Sequence, residues 1–202
     1  MHWPISLNPA GNHPLFPTKA DGSRDILPDE EWNFVKTWAS MQDLLASGKV
    51  RSIGVSNFST WHFEKLLAAP TTTVTPAVNQ VEMHPYNPQF KLVKYCQGKG
   101  IHMTAYSPLG STDAPLQQEP IIQEIATKTG KSAAQVLISW GVWRGTSVVP
   151  KSVTPARVIS NFEDFVLSDE DGNKINEISK TTQRRLVTPN WGVKVFYDDD
   201  DL

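Results

Sequence analysis

The amino-acid sequence predicts an α/β fold in which parallel strands alternate with helices. Short apolar runs typical of buried strands recur along the 202-residue chain, and stretches with apolar residues at helical spacing separate them. Strands that are separated by helices pair in parallel through right-handed crossovers. With 39% hydrophobic residues, the chain can bury a substantial core. We therefore expect residues 1–202 to form a single domain.

The composition argues against several classes of protein. A formal net charge of −2 argues against a dedicated nucleic-acid binder. No apolar run approaches membrane-spanning length, and the N-terminus lacks a basic region followed by an apolar one. The single cysteine, Cys96, excludes an intrachain disulfide framework and is typical of a reducing compartment. These features predict a cytoplasmic protein that binds neither nucleic acid nor membrane.

The sequence of the first third of the chain predicts a loop, two helices and a strand. Residues 5–27 are rich in Pro, Asn, Gly and Asp and have no sustained period, which indicates a long surface loop. Acidic residues directly after Pro28 mark the start of a helix that Gly48 closes. Residues 50–56 indicate a buried strand, and the short helix after it ends before Pro70.

The remainder of the chain repeats this unit. Further strands are predicted for residues 77–83, 101–106 and 148–149. Because helical spacing returns between and after these runs, each strand is expected to lead into a helix. Five helices are predicted. The first starts at residue 87, the second includes residues 121–125, the third includes residues 136–143, the fourth starts at residue 155 and the fifth covers residues 169–179.

Polar or aromatic residues lie at or near the C-terminal ends of all four predicted strands. These residues are Ser56-Asn57, Gln80 to His84, Tyr106-Ser107 and Lys151-Ser152. A (β/α)₈ barrel builds its site from the carboxyl ends of many strands, whereas a doubly wound sheet concentrates its site at one switch point. The sequence also lacks both common glycine-rich nucleotide loops. The pattern therefore favours a barrel of the TIM type.

The barrel is expected to be incomplete. Four strands are predicted, and Met1-His2-Trp3-Pro4 resembles the end of one more buried strand. A complete barrel takes about 250 residues. We therefore expect the chain to lack the N-terminal strands of its barrel and to have open sheet edges.

A strand, a turn and a helix start follow one another within residues 146–161. The strand ends at Pro150, and Thr154 then occupies an N-cap position. A helix N-terminus that is surrounded by cations and hydroxyls suits a phosphate group, although an ordinary strand-to-helix junction would show the same pattern. The residues that would form the site are Lys151, Ser152, Thr154, Arg157 and, one helical turn further on, Asn161.

Five motifs of this sequence resemble those of the aldo-keto reductases, in the order of that family. They are His2-Trp3-Pro4, Gly54-Val55-Ser56-Asn57-Phe58, Asn79-Gln80-Val81-Glu82, Ala105-Tyr106-Ser107-Pro108-Leu109-Gly110 and Val149-Pro150-Lys151-Ser152. Because they extend over essentially the whole chain, we identify it as a member of this family. Residues 8–17 and the ending Asn190-Trp191-Gly192 resemble the fungal glycerol dehydrogenase and aldehyde reductase branch.

The resemblance implies a fold and an activity. The fold would be a (β/α)₈ barrel, of which this chain covers the part from the end of strand 4 to strand 8 and the C-terminal helices. The activity would be NADPH-dependent reduction of aldehydes or ketones to alcohols by hydride transfer, or the reverse oxidation of a polyol. The cofactor would be NADP(H), the partner a small carbonyl or alcohol substrate, and the protein a monomer.

The resemblance also assigns a substrate site. His2 would be the catalytic histidine that hydrogen-bonds the substrate carbonyl oxygen, and Trp3 and Trp191 would line the substrate pocket. The family's catalytic tetrad is Asp, Tyr, Lys and His, and only the histidine has a counterpart in this sequence. The tyrosine is the general acid of the family, and such help contributes typically about 10²- to 10⁴-fold.

The cofactor site is carried over in the same way. Ser56, Asn57 and Gln80 would hold the nicotinamide carboxamide, a group that needs both donors and acceptors. Tyr106 would stack on the nicotinamide ring. The pyrophosphate loop would be lined by Ser107, Leu109 and Ser111, and the 2′-phosphate and adenine would contact Lys151, Ser152, Val153, Thr154, Arg157 and Asn161.

Two other functional interpretations remain open. The chain would be a non-catalytic NADP(H)-binding module if it bound the cofactor without turnover. It would be an inactive fragment if the missing N-terminal strands prevented folding, since the catalytic Asp, Tyr and Lys are absent with them. No metal is expected, because the spacing of His84 with His62 and His102 matches no metal-ligand pattern.

Overall fold

The computed structural model describes residues 1–111 and 115–198. Within these residues, helices and strands alternate along the chain as the sequence predicts. A short 3₁₀ turn, Pro115–Gln118, precedes the fourth helix. In chain order the elements are α1 (Phe34–Ala46), β1 (Val55–Ser56), α2 (Thr60–Ala68), β2 (Val78–Glu82), α3 (Phe90–Gly98), β3 (His102–Tyr106), α4 (Pro120–Thr129), α5 (Ala133–Trp143), β4 (Ser147–Val149), α6 (Pro155–Ser160), α7 (Asp169–Asn176) and α8 (Ile178–Thr181).

The strands form one four-stranded sheet in the order β1-β2-β3-β4. Strand β3 pairs in parallel with β4, with Thr104 opposite Ser147 and Tyr106 opposite Val149. At least one helix separates each pair of consecutive strands. The prediction of an α/β fold with a parallel sheet is confirmed.

The first helix begins later than predicted, at Phe34 rather than after Pro28. The side-chain oxygen of Asn33 accepts hydrogen bonds from the backbone N–H groups of Val35 and Lys36, both at 3.1 Å. An asparagine that satisfies two free donors is a stronger helix start than a proline followed by acids. Residues 28–32 form a turn instead, in which the Pro28 carbonyl accepts from the N–H of Trp32 at 3.0 Å.

The predicted strand over residues 50–56 is reduced to β1, and the predicted helix over residues 169–179 is divided at Glu177 into α7 and α8. Backbone groups just before β1 have partners outside a regular ladder. The Gly54 carbonyl accepts from the terminal amino group of Met1 at 2.8 Å, and the Ile53 carbonyl accepts from the N–H of Ala77 at 2.9 Å. These contacts satisfy the backbone without extending the strand.

Contacts divide the chain into two compact units. Of the described residues, the first unit contains 1–79, 94–102 and 189–198, and the second unit contains 80–93, 103–111 and 115–188. The first unit buries an aromatic core around Trp38, whose indole N–H donates to the Val74 carbonyl at 3.0 Å. The second unit packs α4, α5 and α7 around a buried cluster that includes Trp140. The organisation as a single domain stays a prediction.

A buried carboxylate lies at the end of β2, in the second unit. The Glu82 side chain accepts hydrogen bonds from the backbone N–H groups of Leu186 and Val187 at 2.7 and 2.8 Å. The imidazole Nε2 of His84 lies 2.8 Å from the same carboxylate. Burial alone would raise the pKa of Glu82, but these hydrogen bonds outweigh it and hold the pKa below its ordinary value. The hydrogen bonds of the Glu82 carboxylate therefore connect β2 to the segment that follows α8.

Helix α5 packs closely on β4 at Gly141. A Cβ atom at this position would lie 2.5 Å from Cγ1 of Val148, a branched side chain with little freedom to move. The next residues after β4 include Lys151 and Ser152. Because Gly141 has no side chain, α5 can pack directly against β4. This packing holds in place the strand that leads into the predicted phosphate site.

We expect Gly141→Ala to lower the free energy of unfolding. Overpacking costs typically about 1–3 kcal/mol, which exceeds the gain of about 1 kcal/mol from placing alanine in a helix. Gly98→Ala is the control, because Gly98 ends α3 with no heavy atom within 4 Å of an added Cβ. Denaturant unfolding of both variants checks this. Equal stability of the two would contradict the close packing.

We expect Glu82→Gln to lower the free energy of unfolding by about 1–3 kcal/mol at neutral pH, because one acceptor oxygen becomes an NH₂ group and leaves a buried donor unpaired. Since the pKa of Glu82 is lowered in the folded state, its contribution is present above the ordinary value of 4.5 and is lost as the pH falls through the folded value. The difference from the native chain should therefore shrink in acid. Unfolding as a function of pH measures it, with exposed Glu163→Gln as control; a constant difference would contradict the interpretation.

Candidate functional site

The second unit contains a cavity of about 660 Å³. It lies where the loop after β3 approaches the segment after β4. Nine residues that the sequence predicts for cofactor binding line it. They are Ser107, Leu109, Ser111, Lys151, Ser152, Val153, Thr154, Arg157 and Asn161.

Parallel pairing explains why these two distant segments meet. Because Tyr106 is the register partner of Val149, β3 and β4 end at the same edge of the sheet. The loop after β3 turns sharply there, since Ser107 and Ser111 adopt φ values of 50° and 60°. Residues other than glycine rarely occupy this left-handed region, and such strain is found preferentially at functional sites.

The cavity has a positive character. Lys151 and Arg157 are both exposed, and within the described residues neither forms an ion pair. No described carboxylate lines the cavity. A guanidinium, an ammonium and several hydroxyl groups are the donors that bind a phosphate. The cavity can therefore hold an anion without first breaking a salt bridge.

The helix start after β4 contributes less than its sequence predicts. Thr154 is the N-cap and Pro155 the first residue of α6, as predicted, but the Thr154 side chain makes no capping bond and the helix has only six residues. The N–H of Thr154 instead donates to Oγ of Ser152 at 3.2 Å. Side-chain charge, more than the helix dipole, gives the cavity its attraction for anions.

Asn161 lies one turn beyond Arg157, and its N–H donates to the Arg157 carbonyl at 2.9 Å. Both residues line the cavity, which matches their predicted placement on one face. Residues of the loop after β3 also line the cavity. The cavity thus brings together residues that are far apart in the sequence.

Two residues predicted for the nicotinamide lie in the first unit, directly at the end of β1. Ser56 and Asn57 are buried, and Asn57 has a φ of 62°. The side-chain amide of Asn57 donates to the His2 carbonyl at 3.0 Å and to Oγ of Ser56 at 3.1 Å. Asn57 therefore fixes the backbone of the residue predicted to bind the substrate carbonyl.

Two further residues predicted for the nicotinamide belong to the second unit. Gln80 is half-buried in β2, and Tyr106 is half-buried at the end of β3. Burial and, to a smaller extent, the charge of Glu82 raise the pKa of Tyr106, which Arg185 partly opposes. The phenol is neutral at physiological pH and offers an uncharged aromatic face. That Gln80 and Tyr106 act together with Ser56 and Asn57 stays a prediction.

The three residues predicted to contact the substrate meet in the first unit. The His2 ring is exposed and its centroid lies 5.9 Å from that of Trp3. Trp3 in turn lies 5.2 Å from Trp191 and 6.1 Å from Phe196. These rings form a continuous aromatic wall, which we call the Trp3–Trp191 wall.

The sequence analysis missed two residues that extend this wall. The Arg24 guanidinium lies 5.3 Å from the ring centroids of both Phe16 and Trp191. The sequence predicts residues 5–27 to be a surface loop and gives neither Phe16 nor Arg24 a role in the site. No local sequence pattern predicts that an arginine in a polar loop contacts a tryptophan near the other end of the sequence. The contact between Arg24 and Trp191 is therefore seen only in the structure.

Two general features of the described residues bear on function. No group of three or more His, Cys, Asp or Glu side chains in this part of the chain is arranged to hold a metal ion. No helix among these residues is long and apolar enough to cross a membrane.

Comparisons with known proteins identify relatives. The model of the Aldo/keto reductase family matches residues 1–180. The chain is 51% identical to glycerol 2-dehydrogenase (NADP(+)) of Saccharomyces cerevisiae over 95% of its own length and 62% of the relative. It is 48% identical to D-galacturonate reductase of Hypocrea jecorina, covering 98% of the chain and 65% of that protein. The predicted resemblance to fungal members is confirmed.

Solved structures agree with these matches. An aldose reductase from Schistosoma japonicum superposes with a TM-score of 0.84 and 36% identity, over 97% of this chain and 62% of that one. An aldose reductase from Giardia lamblia gives a TM-score of 0.85 and 35% identity, over 97% and 66%. The chain spans roughly three-fifths to two-thirds of the length of these relatives. On the extent of the family match, the chain belongs to the aldo/keto reductase family.

Proposed function

We propose that this chain binds NADP(H) and serves the NADPH-dependent reduction of aldehydes or ketones to alcohols, or the reverse oxidation of a polyol. The observation that carries the proposal is the positive cavity of the second unit, with Lys151 and Arg157 unpaired among the described residues. Membership of the aldo/keto reductase family and the NADP(+) in the name of the yeast relative support it.

The residues present fit the cofactor. A phosphate monoester carries a charge of about −1.5 to −2 near neutral pH, which two cations balance. The hydroxyls of Ser152 and Thr154 add donors that suit its oxygens. A cavity of about 660 Å³ has the size of a small-molecule site. NAD(H) lacks the 2′-phosphate, so this set of side chains favours NADP(H).

The proposed roles follow from chemistry. Lys151 and Arg157 bind the 2′-phosphate, while Ser107 and Ser111 line the pyrophosphate part. When bound, NADPH supplies the hydride. The neutral face of Tyr106 orients an aromatic ring without placing a negative charge beside it. In the first unit, His2 donates a hydrogen bond to a carbonyl oxygen.

The Trp3–Trp191 wall gives the proposed carbonyl site an apolar side. Small carbonyl compounds derived from polyols or sugars are the proposed substrate class, in agreement with the glycerol, galacturonate and aldehyde named for the fungal relatives. We further infer that β1 to β4 correspond to the last four strands of a (β/α)₈ barrel. This inference is supported by the superposition on the two aldose reductases.

A second candidate function is NADP(H) binding without turnover. The observation that favours it is the location of the cavity, whose lining belongs entirely to the second unit, whereas His2 belongs to the first. Cofactor affinity then does not require a complete catalytic set. Of the family's four catalytic residues, only the histidine has a counterpart in this sequence.

We expect Arg157→Met to weaken binding of NADP⁺ by about 10- to 100-fold and to leave binding of NAD⁺ nearly unchanged. Methionine keeps much of the side-chain volume but removes charge-assisted hydrogen bonds to phosphate, which are worth about 1.5–3 kcal/mol. Quenching of tryptophan fluorescence measures both affinities. The control is Arg51→Met, at an exposed arginine of the first unit. Equal losses for the two nucleotides would reject the assigned phosphate contact.

We expect His2→Gln to lower the rate of NADPH oxidation with a small aldehyde and to leave the affinity for NADPH unchanged, because His2 lies outside the cavity lining. Loss of NADPH absorbance and fluorescence titration on one sample give the two values. Saturable binding of NADPH by the native chain with no oxidation of it would instead favour the second candidate function.

A further inference from the structure

The segment after β4 is exposed along a stretch that includes most of α6. Residues 153–159 are all exposed, and no residue of α6 is buried. An element with so few buried contacts opens locally at little cost in free energy. The active site of a second protein can therefore reach this segment.

Thr154 and Pro155 form a pair of the kind that proline-directed protein kinases modify. Such kinases select a hydroxyl residue that precedes proline, a residue with a rigid ring and no backbone N–H. The sequence contains four such pairs, which are Thr75-Pro76, Ser107-Pro108, Thr154-Pro155 and Thr188-Pro189. Pro76 and Pro108 are buried, and Pro189 is half-buried. Thr154-Pro155 is therefore the pair of which both residues are exposed.

The Thr154 hydroxyl is available for reaction. Within the described residues, its side chain forms no hydrogen bond. Its backbone is extended, with φ of −96° and ψ of 115°, which is the conformation that the following proline favours. The neighbouring hydroxyl of Ser152 is already engaged, since its oxygen accepts the N–H of Thr154 at 3.2 Å. Of the two hydroxyls before α6, that of Thr154 is the free one.

A phosphate on Thr154 would find two cations beside it. Lys151 and Arg157 line the same cavity as Thr154, and the Thr154 carbonyl accepts from the N–H of Arg157 at 2.9 Å. A phosphothreonine carries a charge of about −1.5 to −2 near neutral pH. The two side chains can neutralise that charge without breaking an ion pair among the described residues. The attraction comes from these side chains and not from the six-residue helix.

We propose that Thr154 is a phosphorylation site and that its phosphate excludes NADP(H) from the cavity. A proline-directed kinase transfers the γ-phosphoryl group of ATP to the Thr154 oxygen. The new oxygen–phosphorus bond replaces the bond between the γ-phosphorus and the oxygen of ADP, and the hydroxyl proton passes to the kinase. The exclusion of the cofactor rests on the proposed function, because it takes Lys151 and Arg157 as the cations that bind the 2′-phosphate.

The first experiment incubates the native chain with a proline-directed protein kinase, ATP and Mg²⁺, and locates phosphate by mass spectrometry. We expect phosphate on Thr154, and Thr154→Ala should lose it. Thr188→Ala removes an exposed threonine that does not line the cavity, so this control should still be modified on Thr154. A native chain that carries no phosphate on Thr154 would overturn the proposal.

The same samples are titrated with NADP⁺ and with NAD⁺, followed by tryptophan fluorescence. We expect phosphorylation to weaken NADP⁺ binding by about 100-fold or more, because the new phosphate both occupies the cations and repels the 2′-phosphate. NAD⁺ binding should weaken less, and removal of the phosphate by a phosphatase should restore both affinities. Unchanged affinity of the phosphorylated chain for NADP⁺ would overturn the proposal, as would equal losses for the two nucleotides.

Two variants test the charge without a kinase. The competing explanation is that the Thr154 hydroxyl serves only as a donor to the cofactor, and both Thr154→Glu and Thr154→Gln remove that hydroxyl. The two new side chains have nearly the same size and differ in charge. We expect the glutamate variant to bind NADP⁺ about tenfold more weakly than the glutamine variant. Equal affinities would contradict exclusion by charge.

Phosphorus NMR of the phosphorylated chain separates this inference from the proposed function. Pairing with the cations should hold the second pKa of the phosphothreonine below its ordinary value of about 6, and Arg157→Met should return it toward that value. A lowered pKa in a chain whose unmodified form binds no NADP⁺ would refute the proposed function and keep the modification site. NADP⁺ binding by the unmodified chain together with an ordinary phosphate pKa would refute the pairing with the cations alone.

Discussion

Parallel pairing of β3 with β4 is the interaction on which the candidate cofactor site depends. With Tyr106 opposite Val149, the two strands end at one edge of the sheet, and the segments that follow them line one cavity. Close packing of α5 at Gly141 holds Val148 in place and thereby fixes β4. Backbone pairing and the close packing at Gly141 thus determine where the site lies. The residues just beyond the strands determine its chemistry.

Charged residues in the described chain serve two different purposes. Glu82 is fully buried, and three donors satisfy its carboxylate, so its charge joins two segments of the fold. Lys151 and Arg157 have no acid partner among the described residues. A satisfied buried charge stabilises a structure, whereas an unsatisfied cation beside a cavity is suited to a ligand.

The sequence predicted those features that depend on short stretches of chain. Alternation of strands and helices follows from local patterns, and nine of the residues that line the cavity belong to the set that the family resemblance assigns to cofactor binding. Element boundaries depend on competition between neighbouring groups, so Asn33 and not Pro28 determines the start of α1. The contact of Arg24 with Trp191 joins residues at opposite ends of the sequence, and no local pattern indicates it.

The central claim is that the cavity of the second unit recognises the 2′-phosphate of an adenine nucleotide. The most direct measurement is calorimetric titration of the unaltered chain with adenosine 2′,5′-bisphosphate and with adenosine 5′-monophosphate, which differ only in that phosphate. The cations and hydroxyls that line the cavity predict at least about tenfold tighter binding of the bisphosphate, with a difference that falls as salt is added. Equal affinity for the two nucleotides would contradict the account.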